Sequence, residues 1–196
     1  VLQPGDKKAL TILTAVVVAA LVIIVGATAL VVRGHEESLP TISVQADDTL
    51  TQVEPGYWCE VDMTDCEPVD PRSVRQVPEN LATSPAPIGS TVLVTVPQDV
   101  AAGPWTSVAQ YATPQGVVRV FDVHRPDELY TMELRSEPNR VLLGIEFSSL
   151  STVLQDAPQG FDSPDWSVLA RGVFAVNTVP DGFEVRNPNL LPDERA

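Results

Sequence analysis

A chain of 196 residues with 26 acidic and 12 basic side chains carries a formal charge of −14. A surface this acidic repels DNA, RNA and anionic headgroups, so nucleic acid is excluded as a partner. The length suits one domain with tails, and two cysteines are too few for a disulfide-rich scaffold.

Residues 1–8 form a polar cytoplasmic stub in which Pro4 and Gly5 argue against extending a helix far back. Residues 9–32, ALTILTAVVVAALVIIVGATALVV, contain no charged side chain. At about 1.5 Å per residue this run spans roughly 36 Å as a helix, enough for a hydrocarbon core of about 30 Å. Backbone groups in lipid must be satisfied internally, which favours a transmembrane helix despite the β-branched residues. A cleavable signal peptide is the rival reading, with Ala27-Thr28-Ala29 as its cleavage site. The apolar run exceeds the roughly 7–15 residues of such a leader, so a retained anchor is expected.

Lys7 and Lys8 precede the run and Arg33, Glu36 and Glu37 follow it. The positive-inside bias then puts the N-terminus in the cytoplasm and the remainder outside the plasma membrane. The part beyond residue 33 holds 25 acids against 9 arginines. Thr11, Ala15, Ala19, Gly26 and Ala29 fall within about 80° of one another on a helical wheel. Small residues permit close helix approach in lipid, so this face is a candidate packing surface for integral membrane protein subunits.

Residues 33–89 read as an extracytoplasmic tether and a Pro-rich loop. Within it, TISVQA at 41–46 alternates as an edge strand. Cys59 and Cys66, spaced C-x6-C, are expected to form a disulfide in an oxidising compartment, worth about 2 kcal/mol on the chain-entropy model. Glu60, Asp62, Asp65, Glu67 and Asp70 do not match calcium-loop spacing and read as a solvated loop. Five prolines between 67 and 90 exclude a long helix or central strand there.

Residues 90–179 change character. TVLVTV (91–96), GVVRVFDVH (116–124), LYTMELR (129–135), RVLLGIEFSSL (140–150) and WSVLARGVFAVNTV (166–179) are strand candidates separated by Pro, Gly and Asn turns. Alternation puts Tyr130, Met132 and Leu134 inward and Leu129 outward. It puts Val141, Leu143, Ile145 and Phe147 on one face. Gly172 marks a bulge or bend. Ser149–Asp156 is the one short helix candidate. The pattern predicts a mostly β chain: a single N-terminal transmembrane helix and an immunoglobulin-like β-sandwich ectodomain with Trp105 in its core. Residues 180–196 read as a polar C-terminal tail.

No nucleophile elbow, phosphate loop, zinc motif or haem-attachment motif occurs, and neither His35 nor His124 has a partner motif. No enzyme activity, cofactor or metal is therefore expected.

The Cys59/Cys66 loop, TVLVTVPQDVAAGPW at 91–105 and ARGVFAVNT at 170–178 resemble an uncharacterised actinobacterial cell-envelope family with a domain of unknown function. Many such proteins are lipid-anchored through a cysteine that this chain lacks. The single span and acidic outer domain are also similar to the small accessory subunits of the actinobacterial cytochrome bcc–aa3 respiratory supercomplex. The resemblance implies a non-catalytic accessory subunit that packs on and stabilises a membrane complex. A free-standing membrane-anchored envelope binding protein for a lipid, glycan or peptide is the alternative.

Overall fold

A computed structural model describes residues 4–33, 38–73, 81–155 and 167–195, with helix side chains over 12–28. The chain divides into two compact units between Ser38 and Leu39.

The first unit is α1 (Pro4–Arg33). It starts at Pro4 itself, further back than expected. Proline lacks an N–H that a first helical residue would leave unpaired anyway, and its φ is already helical. Every described side chain from Ile12 to Thr28 is exposed. Among the described residues no helix is long and apolar enough to cross a membrane. The expected transmembrane helix over 9–32 therefore gains no support from the structure.

The second unit is built from two sheets. The first has the order β2 (Thr49–Val53), β1 (Ile42–Ala46), β5 (Thr91–Thr95), β8 (Thr131–Arg135). The second has the order β11 (Glu194–Arg195), β7 (Gly116–His124), β6 (Trp105–Thr113), β9 (Val141–Gln155), β10 (Ser167–Asn177), β3 (Tyr57–Trp58), and β4 (Leu81–Thr83) also pairs with β10. A four-residue helix, α2 (Gln98–Ala101), follows β5 and buries Val100 and Ala101. Alternation drives the assembly: Ile42, Val44, Val92 and Val94 point to the same core as Trp105, Leu142, Phe147 and Phe174. The mostly β expectation holds, the two sheets are consistent with a β-sandwich, and Trp105 is the largest fully buried side chain among the described residues.

Several local expectations are corrected. β1 is interior, not an edge strand, because a tight turn with Asp47 at φ 53° returns the chain as β2. The expected helix at Ser149–Asp156 is strand as far as Gln155, where β9 ends, and Asp156 lies outside the described residues. Val141 and Leu143 both leave the core face of Ile145 and Phe147, since the register with β6 slips between Gln110 and Tyr111 and the core position passes to Leu142. Leu129 is half-buried against the core and Tyr130 is exposed, because Asp127 at φ 57° turns the chain before β8 begins. Gly172 does sit at an irregularity, with register shifts on its N-terminal side.

Residues 187–195 are not a loose tail. Val117 N donates to Asn189 O, and Leu191 N donates to Val117 O, each at 2.8 Å. β11 then pairs in parallel with Val120 and Phe121.

Candidate functional site

The Pro114–Gln115 turn fixes the register of the β6–β7 hairpin, and that register sets the chemistry. Trp105 lies opposite His124, and Ser107 opposite Asp122. Continuing across the sheet, Trp105 pairs with Ser149, Ser149 with Gly172, and Gly172 with Trp58. One transverse row therefore reads His124, Trp105, Ser149, Gly172, Trp58.

At one end of the row the His124 ring stacks on Trp105, with centroids 3.8 Å apart. Its Nε2 shares a hydrogen bond of 2.9 Å with Ser107 Oγ, and its Nδ1 lies 3.9 Å from Asp122 Oδ2. Burial holds the imidazole pKa below its ordinary value, against the opposing pull of Asp122 and Glu128. Ser, His and Asp in this order evoke a nucleophilic triad. Ser107 is only 4% exposed and His124 only 7%, so the hydroxyl is sealed from any substrate. The Trp105 indole N–H is buried without a hydrogen-bond partner.

At the other end, Gly172 makes room for Trp58. A Cβ there would overlap Trp58 Cε3 and lie 2.7 Å from Cζ3. Trp58 packs against Phe174 with centroids 6.0 Å apart and the rings tilted at 59°, and the Arg171 guanidinium lies 4.2 Å from the Trp58 ring centre. Arg171 Nε also donates to Ser149 Oγ at 3.1 Å, and Nη2 to Asp99 O at 2.6 Å. Burial lowers its pKa, opposed by Glu60 and Asp99. Arg171 thus ties β10 to β9, β3 and α2.

The Cys59–Cys66 disulfide is formed. Because successive strand residues face opposite ways, Trp58 enters the main core while Tyr57 and Cys59 build a second, smaller one with Met63. Val153, Leu169 and Val173 floor that cluster. Tyr57 Oη donates to Ala170 O at 3.0 Å, and burial raises the phenol pKa with a contribution from Glu146. Arg72 reaches back to Met63 O and pairs with Asp70 at 2.9 Å. Among the described residues no group of three or more His, Cys, Asp or Glu side chains could hold a metal ion.

Of the small-residue face on α1, Ala15 and Ala19 are exposed and Gly26 has open space around it. Thr11 and Ala29 lie outside the described side chains, and His35 lies outside the described residues. Sequence reasoning found the disulfide and Trp105 but missed Ser107, Asp122, Trp58 and Arg171. Counting outward from the two-residue turn at 114–115 was the signal that would have paired Trp105 with His124.

The profile of a family described as "Protein of unknown function (DUF2771)" matches residues 35–171. The chain belongs to the DUF2771 family. Relatives of this DUF2771 chain include uncharacterised proteins of Mycobacterium bovis and of two Mycobacterium tuberculosis strains. Each is 29% identical over 168 residues, covering 83% of this chain and 97% of the relative. No solved structure matches it. The family match takes in the disulfide loop, both aromatic ends of the row and Arg171, whereas all of α1 and the segment along β7 lie outside it.

Proposed function

We propose that the chain is a non-catalytic, single-span accessory subunit of a bacterial membrane protein complex. The observation that carries this reading is the uncharged run at 9–32, set within a 30-residue helix whose described side chains are all exposed. A helix apolar on every face has lipid as its natural solvent. Ala15, Ala19 and Gly26 supply the packing face toward partner helices. The disulfide supports an extracytoplasmic second unit, since such bonds persist in oxidising compartments.

The sealed Ser107–His124 pair and the filled interior support a packing role for the sandwich rather than catalysis. Its pairing, β1–β5–β8 in one sheet and β7–β6–β9–β10 in the other, supports the immunoglobulin-like reading, in which Trp105 stands at the start of strand C. The disulfide here closes a local loop and does not bridge the two sheets.

The test is gentle extraction of the full chain from actinobacterial membranes and identification of what accompanies it. The cytochrome bcc–aa3 respiratory assembly is the first partner to look for. Stoichiometric recovery with an integral membrane complex is the expected result. Recovery as a monomer from the membrane fraction, or a chain found wholly in the soluble fraction, would overturn the proposal.

A further inference from the structure

The outer edge of β7 is a built receptor for an extended segment. Gly116 forms its notch: a Cβ there would overlap Asn189 O and lie 3.1 Å from Leu191 Cγ. Val117 supplies both backbone bonds, to Asn189 and Leu191. Leu191 packs against the main core. Arg119 holds Asp193 through two bonds, at 2.9 and 3.0 Å, and Arg140 holds Glu194 at 3.1 Å. The backbone bonds set the register, and the contacts to Leu191, Asp193 and Glu194 read side chains of the occupying segment, whose sequence is Asn-Leu-Leu-Pro-Asp-Glu.

That segment reaches the groove through a turn at Pro180–Gly182 in which Pro180 is buried and Asp181 and Gly182 are exposed, with Gly182 at φ 71°. Its ladder to β7 is short and parallel, and both of its ion pairs are solvent-exposed. Such pairs hold weakly and exchange readily. An identical groove exists on every other copy of the chain, and swapping an identical element forms the same contacts between copies.

We propose that residues 187–195 also bind the β7 groove of a second copy, so that the chain forms strand-exchanged dimers. The second copy is the fitting occupant because its own segment already carries every group that the groove reads. The exchange leaves the sandwich core of each copy intact except for Leu191, which is supplied by the partner.

The test uses full-length chains in the buffer or detergent that keeps them dispersed. Val120 and Glu194 are register partners, so Val120→Cys chains are mixed with Glu194→Cys chains and oxidised. The expected product is a disulfide-linked pair containing one chain of each kind, rising with concentration and several-fold above either variant alone. Adding Gly116→Leu to the Val120→Cys chain should abolish it by filling the notch. Should Val120→Cys disturb folding, Phe121→Cys with Arg195→Cys probes the next register pair. Only intrachain bonds in the double variant Val120→Cys/Glu194→Cys, with no mixed pair at any concentration, would overturn the proposal. So would a mixed pair that Gly116→Leu leaves unchanged.

Discussion

Gly172→Ala is the sharpest test of how the sandwich is closed. The new methyl group would occupy the space of the Trp58 six-membered ring, so the indole must leave its seat. Leaving separates it from Phe174, a contact worth about 0.5–1.5 kcal/mol. It also uncovers the Arg171 guanidinium, worth about 0.5–2 kcal/mol for a half-buried cation. Added strain from overpacking brings the expected loss to about 2–4 kcal/mol. For a unit of this size that corresponds to a fall in melting temperature of about 5–15 °C. Thermal unfolding of the full chain, followed by near-UV circular dichroism, reads the shift. The same substitution in a Trp58→Ala background should cost almost nothing, because the clashing ring is gone. A neutral Gly172→Ala, or an equal penalty in both backgrounds, would refute the reasoning.

Other outcomes follow from the same structure. His124 is buried with its pKa below the ordinary value, so the unfolded chain takes up that proton before the folded one does. Stability is then complete above the unfolded pKa of about 6.5 and declines as pH falls through that value toward the depressed folded one. His124→Gln should flatten this part of a stability–pH profile measured by denaturant unfolding, and an unchanged slope would rule the account out. Replacing Cys59 and Cys66 together by Ser should cost about 2 kcal/mol by releasing the short loop over the Tyr57–Met63 cluster, read as a lower denaturant midpoint. If the midpoint does not move, the loop is held without its bridge. Val18→Lys places a charge near the centre of the uncharged run, at about 2.5–3.5 kcal/mol of insertion cost. The variant should accumulate less in the membrane fraction, and a wild-type distribution would speak against a span.

Much of the fold is legible in the residues. The β7 range, Gly116–His124, follows from its alternation and bounding turns. β5 and β10 were within a few residues for the same reason. What alternation misses is a change of face in mid-strand. The slip at Leu143 and the turn at Asp127 each cost one residue of register, and a period of two has no memory of that. The short strands Tyr57–Trp58 and Leu81–Thr83 carry too few residues to show a period at all. The disulfide was legible because only two cysteines exist. The Arg171–Trp58–Gly172 cluster was not, since it joins residues more than 110 positions apart.

The sequence alone determined the uncharged run, the acidic balance, the cysteine pair and a β-rich second unit, because each is a property of composition or of near neighbours along the chain. Tertiary structure alone decided that His124 meets Ser107 out of solvent's reach, that Gly172 yields its space to Trp58, and that residues 187–195 lie along β7. Those outcomes depend on which strands lie side by side, and strand order is set by the packing of two whole sheets around one core rather than by any local pattern.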